Sequence, residues 1–245
     1  MISVCIATYN GGKYIHKQIE SILLQLSFND EIIISDNGST DETIEIISAF
    51  NDVRIKIFHK EKTSKNNSIN CFQNFEYALT KATGDVIFLS DQDDIWAPNK
   101  VETILPFFNS VDLIVHDCYL IDSAERVTLE SYFKRRGSGK GVIKNFIANT
   151  YLGCCMAFKK DILKLAIPFP LSIPMHDVWL GIVAGCFYKV KFIPNKLTYY
   201  REHESNVSPT ANGVSKFNYF QKFIFRFNSL KLLPLLIYRK IKHAC

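Results

Sequence analysis

Short β-rich runs alternate with helical patterns through the first 120 residues, and no other feature of the chain limits its fold as much. Ile2–Ala7 reads as a strand, and Gly12–Gln25 as a helix, with Ile15, Ile19, Ile22, Leu23 and Leu26 at helical spacing. Glu31–Ser35 is a second strand, followed by a helix capped at Ser39 or Thr40 and running to Phe50. Val53–Phe58, Asp85–Leu89 and Leu113–Leu120 continue the strands, with a helix at Ile69–Thr80. Elements of these lengths predict βαβ units and a mainly parallel central sheet flanked by helices. Ligands of such sheets bind beyond the carboxyl ends of the strands.

The second half is less regular. Ser123–Lys140 is polar, rich in Arg, Gly and Ser, and reads as a loop. Tyr151–Phe158 predicts a strand, Asp177–Phe187 a helix and Leu197–Arg201 a last strand. Glu202–Val214 reads as a mobile polar segment, and Phe217–Lys242 as one or two helices interrupted at Pro234.

With 47% apolar and 22% charged residues, the chain has the composition of a globular protein. The seven cysteines contain no C-x-x-C pair, and several sit in apolar runs. That pattern indicates buried free thiols in a reducing, cytoplasmic compartment rather than a disulfide framework or a zinc site. Met1 leads straight into a strand with no signal-peptide pattern, and no run approaches the roughly 20 apolar residues that span a bilayer.

Three strand ends carry chemistry. The first, Thr8-Tyr9-Asn10-Gly11-Gly12, allows close backbone approach before a helix N-terminus, but lacks G-x-G-x-x-G and so does not support a dinucleotide fold. The second is Ser35-Asp36-Asn37-Gly38-Ser39-Thr40-Asp41. Asp36 could accept hydrogen bonds from a base or a ribose; turn and cap chemistry explains the segment equally well, and Asp41 better. The third, Phe88-Leu89-Ser90-Asp91-Gln92-Asp93-Asp94-Ile95-Trp96, places three carboxylates in four residues after an apolar strand. They repel one another unless a cation neutralises them, and oxygen ligands suit Mn²⁺ or Mg²⁺ with a diphosphate completing the sphere. A solvated turn is the alternative; an EF-hand fails because Trp96 stands where that loop needs glycine.

Taken together, Val4-Cys-Ile-Ala-Thr-Tyr-Asn-Gly11, Ile34-Ser-Asp-Asn-Gly-Ser-Thr-Asp41 and Gly84-Asp-Val-Ile-Phe-Leu-Ser-Asp-Gln-Asp-Asp-Ile-Trp96 resemble the family 2 glycosyltransferases, which have the GT-A fold. The third segment looks most like bacterial O-antigen and capsule enzymes, rhamnosyltransferases among them. The resemblance implies that Thr8, Tyr9 and Asn10 line the nucleotide pocket and that Asp36 binds the base. It puts Asp91 near ribose and sugar and Asp93 on the metal; Asp94 assists or caps the next turn. Met175-His176-Asp177-Val-Trp179-Leu180 resembles the segment that supplies the base of an inverting transfer, so Asp177 is the candidate, with an N-cap as the structural alternative. Tyr199-Tyr200-Arg201-Glu202-His203 resembles the closing strand and loop, with Arg201 on phosphate and His203 on metal or diphosphate.

The implied domain is residues 1–213, with a nucleotide-binding half at 1–120 and an acceptor-side half at 121–213. Residues 214–245 form a basic amphipathic helical tail. Its mix of aromatic, apolar, Lys and Arg residues suits an anionic membrane surface; packing on the body or in a homodimer is the alternative, and nucleic acid is disfavoured. The implied donor is dTDP-rhamnose or a UDP-hexose, and the acceptor an undecaprenyl-diphosphate-linked glycan, at the inner face of the plasma membrane. A D-x-D phosphatase and a non-catalytic nucleotide-sugar-binding protein are the rivals.

Overall fold

The computed structural model describes residues 1–173, 175–204, 206 and 231–242. Its first half runs β1 (Ile2–Thr8), α1 (Gly12–Leu23), β2 (Glu31–Asp36), α2 (Thr43–Ala49), β3 (Ile55–His59), α3 (Asn67–Lys81), β4 (Val86–Asp91), β5 (Ile95–Trp96) and α4 (Lys100–Ile104). The second half runs β6 (Leu113–Ile121), β7 (Val127–Leu129), α5 (Tyr132–Arg136), α6 (Val142–Ile147), β8 (Met156–Lys159), α7 (Ile162–Ala166), α8 (His176–Phe187), β9 (Val190–Arg201) and α9 (Leu233–Lys242).

These strands form one sheet in the order β3-β2-β1-β4-β8-β6-β9-β5, with β7 paired to β6. The first four are parallel; β8 runs antiparallel between β4 and β6, and β6 pairs in parallel with β9. Both faces of the sheet are covered, which is why the strands are continuous apolar runs rather than alternating ones. Val4, Ile6, Ile32 and Ile34 meet Ile15, Ile19 and Ile22 of α1 on one side. Cys5, Ile33, Ile87 and Leu89 meet Phe72 and Phe75 of α3 and Trp179 of α8 on the other. Each such side chain, fully removed from water, contributes about 1.5–3 kcal/mol.

Parallel registry brings the strand ends level. Thr8 pairs with Asp36, and Ala7 pairs with Asp91. The polar ends of β1, β2 and β4 therefore share one edge of the sheet.

Several boundaries differ from the sequence expectation for visible reasons. Helix α2 begins at Thr43 because Ser39 and Thr40 are occupied elsewhere: Ser39 Oγ accepts from Asn10 N–H at 2.9 Å, and Thr40 N–H donates to Asn10 Oδ1 at 2.8 Å. The stretch 123–140 is not all loop but holds β7 and α5, the latter capped by Ser131 Oγ on Lys134 N–H and closed by Gly137 at φ 60°. The expected strand at Tyr151–Phe158 is a 3-10 turn at Gly153–Cys155 followed by β8. Most of Glu202–Val214, and the tail before residue 231, lie outside the described residues. Pro234 is the second residue of α9, where its missing N–H costs nothing, and a turn at Leu232 separates that helix from helical Lys231.

Helix α9 packs on the body. Leu236 is fully buried in the main core cluster, and Arg239 donates to the carbonyls of Leu165, Ala166 and Pro168 at 2.8, 3.1 and 2.9 Å. Ile237, Tyr238 and Ile241 remain exposed beside Lys240 and Lys242. Among the described residues no helix is long and apolar enough to cross a membrane.

Candidate active site

The three strand ends are laced together by their own side chains. Gln92 Oε1 accepts from Tyr9 N–H at 2.9 Å and its amide donates to Tyr9 O at 3.2 Å. A Cβ at Gly11 would lie 2.4 Å from Gln92 Oε1, so a larger residue there would displace the Gln92 side chain. Asn10, at φ 47°, links β1 to the turn after β2. Tyr9 stays partly exposed, with Lys62 Nζ 2.9 Å above its ring.

Thr8 and Asp36 are buried together, with Thr8 Oγ1 donating to Asp36 Oδ1 at 3.1 Å. The other Asp36 oxygen accepts from the N–H groups of Gly38 and Ser39 at 2.8 and 2.9 Å. The turn reading thus describes what Asp36 does in this structure. Asp41 is likewise used locally, on Gly12 N–H and Thr43.

Beyond β4 the carboxylates converge. Asp91 is half-buried, Asp93 nearly buried and Asp94 fully buried. Burial first, then Asp94, Asp93 and Asp177, raise Asp91 well above the usual carboxylate range, with Lys100 opposing. Burial and Asp93 push Asp94 up to about 7, against bonds from Arg201 N–H and the Cys154 thiol. The Cys71 thiol is raised by burial and then by the charges of Asp91, Asp177 and Asp93.

His203 reaches this space from the segment after β9. Its Nε2 lies 2.8 Å from Asp93 Oδ2, and its ring stacks on Tyr14 at 5.0 Å. Arg201 arrives by the same strand. The side chain is 1% exposed and committed internally: Nε donates to Asp93 O at 2.7 Å, and the guanidinium reaches Asp122 O and Glu125 at 3.3 Å each. Its N–H donates to Asp94 Oδ1 at 2.9 Å. Arg201 braces the acidic turn from behind.

Asp177 lies in the first turn of α8 and is buried. Its carboxylate accepts from Val178 N–H at 2.7 Å and from Gly153 N–H, yet desolvation prevails and lifts it to about 6. His176 stacks on Phe75 at 3.8 Å, and burial lowers it to about 3, so it stays neutral.

The donor set fits a hard divalent cation. Carboxylates and one imidazole converge, and Asp94 Oδ2 is buried without a hydrogen-bond partner. Two ligand groupings emerge: the Asp93–His203 pair, and Asp91, Asp94 and Cys154, whose ligand atoms lie within 4.8 Å of one another. Cys154 and the buried Lys100 were not singled out from sequence; an apolar-flanked Cys and a lysine at the start of a short helix look alike in a site and in an ordinary core.

Residues 3–165, well over half of the chain, match the profile of Glycosyl transferase family 2. The chain belongs to that family. It is 26% identical over 229 residues to an uncharacterised glycosyltransferase of Nostoc sp., covering 87% of this chain and 68% of that protein. To the dTDP-rhamnosyl transferase RfbG of Shigella flexneri it is 29% identical over 233 residues, covering 82% and 72%. The fold is GT-A: S. aureus TarS 1-349 in complex with UDP-GlcNAc superimposes with a TM-score of 0.72 at 19% identity, over 95% of this chain and 66% of that one. A mannosyltransferase of Pyrobaculum calidifontis in complex with GDP-Man and Mn²⁺ gives 0.58 at 17% identity, over 99% and 74%. The chain spans about two thirds of these proteins, and less than half the length of several other curated relatives.

Proposed function

We propose that this chain transfers a sugar from a nucleotide-diphosphate donor to an acceptor hydroxyl with inversion at the anomeric carbon. One observation carries the reading. A buried carboxyl in the first turn of α8, Asp177, lifted to about 6 by burial, adds to the charge of Asp93 and Asp94 on Asp91 at the end of β4. A carboxylate with that pKa is ionised at neutral pH and still basic enough to take a hydroxyl proton.

In this reading Asp177 removes the acceptor proton as its oxygen bonds to the anomeric carbon, and the bond from that carbon to the diphosphate breaks. Asp93 and His203 would hold Mn²⁺ or Mg²⁺, which would supply positive charge to offset that of the departing diphosphate. Asp91 faces ribose and sugar, Thr8, Tyr9 and Asn10 line the nucleotide, and Asp36 reaches the base by exchanging one of its turn bonds. Arg201 contributes by fixing Asp93 and Asp94.

The donor is dTDP-rhamnose or a UDP-hexose, the first supported by RfbG and the second by TarS. We assign the acceptor as a lipid-linked glycan, undecaprenyl-diphosphate-linked, in surface polysaccharide assembly. The catalytic unit is 1–213, split near 120, and the tail from 214 lies on the inner face of the plasma membrane. The exposed Ile237, Tyr238 and Ile241 beside Lys240 and Lys242 support that membrane contact.

The test is release of nucleoside diphosphate from a panel of UDP-, dTDP- and GDP-sugars with Mn²⁺ and a membrane lipid extract. Donor-selective, metal-dependent release that collapses in Asp93→Ala and Asp177→Asn is expected. Metal-dependent binding without release from any donor would favour a nucleotide-sugar-binding protein.

A further inference from the structure

Lys100 is fully buried, and its position gives it a use beyond packing. Its ammonium donates to Cys154 O at 2.8 Å and to Thr198 Oγ1 at 2.9 Å, and sits 4.2 Å from the centre of the Trp96 ring. Taking an ammonium out of water is costly unless partners compensate, so a structure that needed only packing would place an apolar residue here.

The three partners belong to three parts of the site. Trp96 ends the acidic segment that follows β4. Thr198 lies in β9, three residues before Arg201, whose N–H holds Asp94. Cys154 sits in the 3-10 turn at Gly153–Cys155, and that turn faces both sets of carboxylates. Cys154 Sγ lies within 4.8 Å of ligand oxygens of Asp91 and Asp94, and Gly153 N–H lowers the Asp177 carboxyl.

The turn has little freedom of its own. A Cβ on Gly153 would lie 2.6 Å from His176 Nε2, so the backbone is pressed against the segment carrying Asp177. Within the turn Cys155 N–H bonds back to Leu152 O at 3.0 Å. The Cys154 carbonyl accepts from Lys100, which anchors the turn.

We infer that Lys100 is a positioning residue: through the Gly153–Cys155 turn it sets Asp177 against the donor carboxylates. The inference rests on the transferase reading for its kinetic consequence, but its structural part stands without turnover. Removing the ammonium leaves the Cys154 carbonyl only the longer bond from Thr198 Oγ1 at 3.4 Å, which loosens the turn and Asp177 with it. Displacement of a reacting group by about 1 Å costs about 100-fold in rate. Lys100 bonds to none of Thr8, Tyr9, Asn10 or Asp36, and reaches Asp91 and Asp94 only through its charge, so most of the donor affinity is kept.

Lys100→Met keeps the chain length and removes the donors. Thr198→Val removes one of the two hydrogen bonds in a nearly isosteric way. Three readouts are taken on protein shown to be folded by near-UV circular dichroism: kcat, donor KM, and amide hydrogen exchange of residues 152–156. For Lys100→Met, kcat falls about 100-fold with donor KM within about threefold, and exchange in the turn speeds at least about tenfold. Thr198→Val moves both in the same direction by about tenfold or less and carries the test if Lys100→Met does not fold.

A kcat within about twofold of wild type in folded variants overturns the inference, as does a loss that falls on KM alone. Where the wild type itself releases no nucleoside diphosphate, the transferase reading fails. Exchange then decides the positioning claim: faster exchange in the turn upholds it, and unchanged exchange overturns it.

Discussion

Acidification isolates Asp177. Its carboxyl stands at about 6 in the folded chain against 3.8 for an ordinary aspartate, because burial outweighs the N–H groups of Val178 and Gly153. A base works only when ionised, so the ionised fraction falls from about 99% at about pH 8 to about 9% at about pH 5. The expected drop in kcat is therefore about elevenfold, with the midpoint near pH 6. His176 adds nothing to this limb, since it is neutral throughout. The assay is nucleoside diphosphate release at saturating donor and Mn²⁺, which keeps the carboxylates of the acidic turn ionised.

The same shift predicts stability, and its sign is the reverse of a salt-bridged aspartate. A carboxyl raised above its unfolded value favours the protonated folded state, so its stabilising contribution is full below about pH 4 and lost as pH rises through about 6. The ionised group then costs up to about 3 kcal/mol, so Asp177→Asn melts higher than wild type at about pH 8 and no higher at about pH 4. The variant also loses about 100-fold or more in kcat together with the acid limb. A wild-type limb near pH 4, or the same limb surviving in Asp177→Asn, would refute the assignment.

Asp93→Asn and His203→Ala should each raise the Mn²⁺ concentration for half-maximal activity at least about tenfold; in the double variant the losses should fall short of additive, because the two side chains meet at 2.8 Å. Gly153→Ala forces a Cβ against His176 at 2.6 Å, and kcat should fall about 100-fold with a lowered melting temperature; a full-rate, equally stable variant would contradict the packing. Replacing Lys240 and Lys242 by Glu should weaken sedimentation with vesicles containing anionic phosphatidylserine about tenfold or more, at about 1 kcal/mol per charge. Unchanged binding would place the membrane contact elsewhere.

What could be read from sequence follows the range of the interactions involved. Strands β1, β2 and β4 announce themselves because both sheet faces are buried, giving continuous apolar runs that end abruptly in polar residues. Registry then brings Thr8, Asp36 and Asp91 level without further information. The second half depends on contacts far apart in the chain. The turn at Gly153–Cys155 interrupts what looks like one strand because Lys100 and Asp177, more than fifty and more than twenty residues away in sequence, hold its backbone. Arg201 shows the same limit. A lone arginine near an acidic motif suggests phosphate binding, but its bonds to Asp93 O, Asp122 O and Glu125 join parts of the chain far apart in sequence. For α5, the cap Ser131 and the closing Gly137 were present as signals, but five residues are too few to give a period.

The most direct test is crystallographic. Crystals grown with Mn²⁺ and the nucleoside diphosphate of the preferred donor should show one anomalous peak within about 2.3 Å of Asp93 and His203, touching the diphosphate and open toward Asp177. A peak held instead by Asp91, Asp94 and Cys154 away from the nucleotide, or a bound nucleotide without metal, would contradict the account.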